Sequence, residues 1–142
     1  AANLSQGRSV FASTCGACHL LYGEGGRLGP DLTGGARRHD LDSLLAKIID
    51  PSAELPVASR YTIVKLKDGR TVGGIVDNRT ATILTLRTVA DPVTVAIADI
   101  QSTELSTASL MPEGMFEALS AEQRRNLVAY LMGTAQVPMP AR

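Results

Sequence analysis

The sequence contains few of the residues on which several classes of protein depend. It has no Trp, two Cys and two His among 142 residues, and aromatic residues make up 4% of the chain. The two Cys are three positions apart, so a framework of several disulfides is excluded. No apolar run approaches the roughly 18 residues that a membrane helix needs, and we expect no membrane span.

A targeting segment is also missing from the start of the chain. The sequence begins Ala1-Ala2-Asn3, without the basic and apolar regions of a secretory signal. We therefore expect a mature form or a domain of a longer chain.

An excess of one charge is absent as well. Lys and Arg together number 14, and Asp and Glu together number 14. A balanced surface argues against nucleic acid or an anionic membrane as the partner, because both select clustered basic residues. Apolar residues make up 44% of the chain, so a core can form, and the length fits one domain that carries a small insert.

Both Cys and one of the two His lie together in Cys15-Gly16-Ala17-Cys18-His19. The spacing C-x-x-C-H is typical of c-type haem attachment. Two thiols at this spacing bond to the vinyl groups on one porphyrin edge, and the adjacent His supplies the proximal nitrogen to the iron. The motif predicts one covalently bound haem c on Cys15, Cys18 and His19.

Two other sites built on a C-x-x-C pair fit the sequence less well. A structural zinc ion takes four ligands, and His39 is the single remaining imidazole or thiolate in the chain. A thioredoxin-like dithiol begins a helix of a βαβ unit. Here the motif instead follows a predicted helix, residues 4–14, and precedes a Gly-rich loop.

The segments around the motif indicate helices and loops. We predict helices at residues 4–14, 40–49 and 121–132, with a loose tail after the last one. The Gly-rich loop runs from Gly23 to Leu32. A ligating His needs an acceptor for its other ring nitrogen, and the carbonyl of Pro30 in this loop is our candidate.

A second axial ligand is expected from one of four Met residues. Met111 precedes Pro112 in a loop just before the last helix, and we predict it as the ligand. Met115, His39 and an open position are the alternatives. Met132 is assigned to the core and Met139 to the tail.

The residue pattern changes from helical to strand-like between Arg60 and Leu105, and this change predicts an insert. Five short β-branched segments alternate with turns, of which Asp68-Gly69 is the clearest hairpin signal, and Gly73-Gly74 is interpreted as a bulge. We predict an α+β fold, in which residues 1–58 and 106–142 form an all-α haem-binding core. Residues 59–105 form an antiparallel β-meander or small barrel.

The helical parts resemble class I c-type cytochromes. The matching residues are Gly7, Phe11, Cys15-x-x-Cys18-His19, Gly29-Pro30-x-Leu32, Met111-Pro112, Leu127 and Tyr130. The resemblance implies that the first and last helices cross with Gly7, Phe11 and Tyr130 at the contact. It also implies that the Pro30 oxygen accepts from His19 and that Met111 is the distal ligand.

With its insert, the chain is similar to the haem-binding domain of planctomycete and verrucomicrobial proteins. The matching stretches are residues 29–34, 49–54, 66–70, 109–114 and 127–131. This domain often ends large dehydrogenase-like chains, which implies a natural protein larger than 142 residues. Haem attachment to C-x-x-C-H in bacteria implies a periplasmic location.

The expected function is electron transfer by one haem with His19 and Met111 as axial ligands and no catalytic residues. The partner would be a redox protein or a fused dehydrogenase domain, and we expect a monomer. A haem sensor or peroxidase-like protein with a labile sixth ligand is one alternative, and an interaction module that docks through the β insert is another. Candidate partners for the haem propionates are Arg37, Arg38, Arg60 and Tyr61.

Overall fold

The computed structural model describes all 142 residues, which divide into two compact units. The helical unit consists of Ala1–Pro51 and Pro112–Arg142, and the β unit of Ser52–Met111. The β unit therefore extends beyond the predicted insert, residues 59–105, at both ends. Met111 is its last residue.

The helical unit contains four helices and one short antiparallel pair of strands. The helices are α1 (Leu4–Thr14), α2 (Gly35–Arg38), α3 (Leu41–Ile49) and α4 (Ala121–Leu131), and the strands are β1 (Leu20–Leu21) and β2 (Glu24–Gly25). The prediction of an all-α core is not confirmed, because this strand pair directly follows the Cys-His motif.

The three longer helices begin at polar caps that the sequence supplies locally. The side chain of Asn3 accepts a hydrogen bond from the third residue of α1, and Asp40 does the same for α3. At α4, Ser120 and Gln123 form a reciprocal capping box. Each cap satisfies backbone N–H groups that have no partner inside the helix, so α1 and α4 begin where predicted and α3 begins one residue later than predicted, after its cap Asp40.

Helices α1 and α4 pack closely at a glycine. A Cβ at Gly7 would lie 2.7 Å from the Cβ of Tyr130 and would also overlap the backbone carbonyl of Asn126. The rings of Phe11 and Tyr130 meet at 5.9 Å between centroids. The buried core around this contact comprises Val10, Phe11, Leu21, Leu44, Leu127, Tyr130 and Leu131.

The C-terminal tail is bound to the helical unit, so the prediction of a loose tail is wrong. Val137 packs against the core, and its carbonyl accepts a hydrogen bond from Arg8 Nη1 at 2.6 Å. The hydroxyl of Tyr130 donates to Gln136 Oε1 at 2.7 Å. The bond from Arg8 joins residues 129 positions apart, so no local pattern indicates it.

The β unit is a five-stranded antiparallel sheet. Its strands are β3 (Tyr61–Leu66), β4 (Thr71–Arg79), β5 (Ile83–Arg87), β6 (Val93–Ala96) and β7 (Ile100–Leu105), in the order β6-β5-β4-β3-β7. Short 3-10 turns lie at Val57–Ser59 and Ile97–Asp99. Its hydrophobic core cluster comprises Val64, Leu66, Leu84, Leu86 and Val95, and the buried positions alternate along β3 and β5 as the sequence predicts.

Two details of the sheet differ from the prediction. The bulge lies between Val76 and Asn78, and not at Gly73-Gly74. Gly73 instead makes room for the ring of Tyr61, which a Cβ at this position would strike. The chain also departs from a simple meander, because β7 returns beside β3 and no ladder joins β6 to β7.

Candidate haem attachment site

The Cys-His motif forms one tight turn at the end of α1. Cys15 ends the helix, and its N–H donates to the carbonyl of Phe11 at 2.8 Å. The N–H groups of Cys18 and His19 both donate to the carbonyl of Cys15, at 3.2 and 3.0 Å. Both Cys are half-buried and carry free thiols. The turn thus brings the backbone segments of both thiols and the imidazole together.

The Gly-rich loop wraps around the backbone of this turn. The N–H of Gly26 donates to the carbonyl of Gly16 at 2.8 Å. A Cβ at Gly26 would overlap the carbonyl of Ala17, and one at Gly25 would overlap the carbonyl of His19. Gly25 also has a φ of +118°, which side chains rarely adopt. These two glycines are therefore required by close approach.

The loop then runs alongside His19. Gly29 donates its N–H to the carbonyl of Cys18 at 2.7 Å, and Leu32 donates to the carbonyl of Leu20 at 2.8 Å. Between these two bonds, the Nδ1 atom of His19 lies 2.8 Å from the carbonyl oxygen of Pro30.

This contact fixes the proton on the His19 ring. A carbonyl oxygen can only accept, so Nδ1 carries the proton and donates it to Pro30. Nε2 is then left with the lone pair that a metal requires. The structure thus places the Pro30 carbonyl at the His19 ring, where an acceptor was expected.

Gly29 lies directly against the same imidazole. A Cβ at this position would be 2.8 Å from His19 Nδ1 and closer still to the neighbouring ring carbon. Any side chain there would push the ring away from the Pro30 carbonyl. The absence of a side chain at Gly29 therefore leaves space for the ring to lie against the Pro30 carbonyl.

Burial makes the Cys15 thiol harder to ionise. Packing against the helical core and the nearby Cys18 raise the pKa of Cys15 to about 11, from an ordinary value of 9.0. At neutral pH this thiol is protonated before attachment. It is consequently a weak disulfide-exchange nucleophile, because the thiolate is the reactive form.

Met111, the predicted distal ligand, lies in an irregular segment and is half-buried. Its N–H donates to Ser109 Oγ at 3.1 Å, and the N–H of Ser109 donates to Ser52 Oγ at 3.0 Å. These bonds anchor the segment within the β unit. The pairing of Met111 with His19 stays a prediction, since His19 belongs to the helical unit.

The alternative ligands lie in other surroundings. Met115 is half-buried in the turn before α4, and Met132 packs against the helical core. Met139 is 48% exposed in the tail. His39 ends α2, and its Nδ1 lies 3.4 Å from Ser43 Oγ.

Arg37 and Arg38, two of the predicted propionate partners, differ in their contacts. Arg37 is exposed, and its guanidinium makes no hydrogen bond to the protein; only its backbone N–H bonds, to the carbonyl of Gly34. Arg38 is exposed as well, but its Nη2 donates to the carbonyls of Asp31 and Thr33, both at 2.8 Å. These carbonyls belong to the loop that continues from Pro30.

The other two propionate candidates belong to the β unit. Arg60 is half-buried, and its Nε donates weakly to the carbonyl of Leu55 at 3.4 Å. Tyr61 lies with its ring over Gly73. Their role in binding a propionate stays a prediction.

The residues around His19 fit a covalently bound haem c. Two free thiols and an imidazole lie on one turn, the imidazole tautomer leaves Nε2 available, and Gly29 keeps a side chain away from the ring. No group of three or more His, Cys, Asp or Glu side chains is arranged to hold a metal ion directly.

The comparison with protein families agrees with this site. Residues 4–70 match the family model described as cytochrome c. The matched segment contains Cys15, Cys18, His19 and Pro30, but it ends in the β3–β4 hairpin and includes neither Met111 nor α4. No curated protein matches the chain.

Residues 4–70, just under half of the chain, are thus similar to cytochrome c, and this match supports a haem-binding electron-transfer protein. Its cofactor is covalently bound haem c. A protein of this class exchanges electrons with a redox partner. None of its helices combines the length and apolar character needed to cross a lipid bilayer.

Sequence reasoning missed two contacts between residues distant in the chain, one in each unit. Ser52 and Ser109 are 57 positions apart, so no local pattern links them. Arg8 bridges Glu24 in the Gly-rich loop and the carbonyl of Val137, at 2.7 and 2.6 Å. The one available signal for this second contact was the presence of a basic residue in the middle of α1 and of Glu24 in the loop.

Proposed function

We propose that this protein is a monohaem electron carrier of the class I type, with His19 and Met111 as the axial ligands. The observation that carries the proposal is the hydrogen bond from His19 Nδ1 to the Pro30 carbonyl at 2.8 Å. It presents Nε2 as a ligand and holds the imidazole at one orientation.

The bound haem supplies a reversible one-electron change, and the chain controls its surroundings. His19 is oriented by Pro30 and by the absence of a side chain at Gly29. Met111 offers a thioether, which favours the reduced state and raises the reduction potential. With two protein ligands the iron would have no open position, so we propose electron transfer through the haem edge without bound substrate.

The proposed setting is the bacterial periplasm. Support comes from the attachment chemistry, since haem is joined to C-x-x-C-H motifs outside the cytoplasm. The resemblance to the planctomycete and verrucomicrobial domain supports a redox partner that is either a separate protein or a fused dehydrogenase domain. Contacts of such partners are typically small and transient.

The test is absorption spectroscopy of the oxidised and reduced protein after maturation in a host that attaches haem. Wild type should show the red charge-transfer band of thioether-ligated ferric haem, and Met111→Ala should lose that band. The matched control is Met115→Ala, which removes a nearby half-buried thioether and should retain it.

Three results would contradict the proposal. Loss of the band in Met115→Ala, and not in Met111→Ala, would assign the ligand to Met115. Carbon monoxide binding to the reduced wild type without loss of structure would indicate a labile sixth position and favour a sensor or peroxidase-like protein. A colourless protein with the mass of the bare polypeptide would remove the haem altogether.

A further inference from the structure

Arg38 holds the loop that carries the acceptor of the His19 ring. Its Nη2 donates to the carbonyls of Asp31 and Thr33, each at 2.8 Å. These are the first and third residues after Pro30. The two N–H bonds of one guanidinium nitrogen thus fix the direction of two peptide groups, and the rotating donors of a Lys ammonium do not reproduce this planar geometry.

The same loop is fastened by three further bonds. Thr33 donates its N–H to Asp31 Oδ1 at 2.9 Å, and its hydroxyl oxygen accepts the N–H of Tyr22 at 2.8 Å. Leu32 donates to the Leu20 carbonyl. Each residue from 31 to 33 is therefore held by a hydrogen bond of its backbone or side chain.

Pro30 itself has few means of holding its carbonyl in place. It is exposed and has no N–H, so its peptide plane is set by the groups on either side. Gly29 fixes the preceding side through its bond to Cys18. On the following side, the Asp31 carbonyl is held by Arg38.

We propose that Arg38 is a positioning residue for the haem iron. Through the loop from Asp31 to Thr33 it keeps the Pro30 carbonyl aimed at His19 Nδ1, and it thereby sets the basicity of the proximal ligand. This inference rests on the proposed function and assigns Arg38 a role other than that of a propionate partner.

Arg37 provides a matched control. It is the neighbouring residue on α2, carries the same charge and is exposed, and its guanidinium makes no hydrogen bond to the protein. Arg37→Gln and Arg38→Gln therefore remove the same charge one position apart. Only the second removes the two bonds to the loop.

The experiment compares these variants with wild type and with Arg38→Lys in the haem-loaded protein. The first measurement is the exchange rate of the His19 ring N–H by NMR, and the second is the reduction potential. We expect Arg38→Gln to speed the exchange about tenfold, Arg38→Lys to give a smaller increase, and Arg37→Gln to match wild type.

The potentials separate positioning from charge. Losing a positive charge favours the oxidised state in both Gln variants and lowers the potential. A weaker bond to Pro30 makes His19 less basic and raises it. We expect Arg38→Gln to lie above Arg37→Gln. Equal exchange rates and equal potentials in the two Gln variants would overturn the inference.

Failure of the proposed function is distinguishable from failure of this inference. The red thioether band reports Met111, and the ring N–H reports His19. A protein without the band but with slow N–H exchange that depends on Arg38 would retain the positioning role. A protein with the band and no dependence on Arg38 would retain the carrier and lose the inference.

Discussion

The hydroxyl oxygen of Ser52 accepts a hydrogen bond from the backbone N–H of Ser109 at 3.0 Å, across 57 positions of chain. Ser109 in turn accepts the N–H of Met111 at 3.1 Å. The β unit thus closes on itself directly before the predicted distal ligand. This bond joins the two ends of the β unit, and it therefore holds the segment that carries Met111 in place within that unit.

Ser52→Ala should loosen this segment. The part-buried N–H of Ser109 would lose its acceptor, at a cost of about 1 kcal/mol in the free energy of unfolding. Urea unfolding followed by circular dichroism measures this cost. If Met111 is the distal ligand, as proposed, imidazole should also displace it more easily in the haem-loaded ferric protein.

Thr107→Ala is the control for Ser52→Ala, since Thr107 is an exposed residue of the segment before Ser109. It should leave both readouts at the wild-type value. Equal behaviour of the two variants would show that the Ser52 hydroxyl does not anchor the segment.

Gly7→Ala should destabilise the crossing of α1 and α4. The added methyl would lie 2.7 Å from Tyr130 Cβ and against the Asn126 carbonyl, so the helices must separate. We expect a loss of about 2 kcal/mol in the free energy of unfolding, as for overpacked cores. Thermal and urea unfolding measure it.

The same substitution at Gly35 serves as the comparison. A Cβ there would meet the Leu131 carbonyl at 3.4 Å, an ordinary contact. Gly35→Ala should be neutral or stabilising, because Ala loses less backbone entropy in a helix. An unfolding curve of Gly7→Ala that overlays that of Gly35→Ala would refute the close crossing.

The sequence allowed good prediction wherever the deciding groups are neighbours in the chain. Asn3, Asp40 and Ser120 each accept from the N–H three positions further along the chain, so the helix starts followed from residue type and local spacing. Alternation of Val64 and Leu66 with exposed residues gave β3 in the same way. The turn at Asp68-Gly69 is confirmed, with Gly69 at a φ of +92°.

Prediction failed where distant residues decide. Gly73 resembled a bulge because glycine in a strand often marks one, but its reason is the Tyr61 ring from the neighbouring strand. The tail was expected to be loose, yet Arg8 binds the carbonyl of Val137. Neither partner can be read from the local sequence.

Protonation of Asp31 at acidic pH should destabilise the loop after Pro30. The backbone N–H and then the hydroxyl of Thr33 hold the pKa of Asp31 below its ordinary 3.8, with a smaller contribution from Arg38. The stabilisation is therefore present above pH 3.8 and lost as pH falls through the lowered value. Asp31→Asn should show a smaller loss of stability between about pH 5 and pH 2.

Two measurements check the role of Asp31. The amide shift of Thr33 in wild type should follow a titration below the ordinary carboxyl range, and Asp31→Asn should abolish it. Asp68→Asn is the control, since the pKa of Asp68 is also lowered, but by Arg70 in the β unit. A Thr33 titration that survives in Asp31→Asn would contradict the assignment.

Tyr22 should make the helical unit sensitive to alkali. Its hydroxyl is buried without a hydrogen-bond partner, and burial raises its pKa above the ordinary 10.0. The fold favours the neutral phenol, so stability is full below pH 10.0 and is lost as pH rises through the raised value. Tyr22→Phe keeps the ring against Tyr130, at 5.8 Å between centroids in wild type, and removes the titrating group.

We therefore expect Tyr22→Phe to be as stable as wild type at pH 7, or up to about 1 kcal/mol more stable, because an unpaired buried hydroxyl is removed. Above pH 10 its stability should decline less than that of wild type. Tyr130→Phe is the contrasting variant, since it loses the 2.7 Å bond to Gln136 and should be about 1 kcal/mol less stable at pH 7. Urea unfolding at both pH values measures all three proteins. A loss in Tyr22→Phe at pH 7 equal to that in Tyr130→Phe would mean that the Tyr22 hydroxyl has a partner, and the argument for its alkaline role would fail.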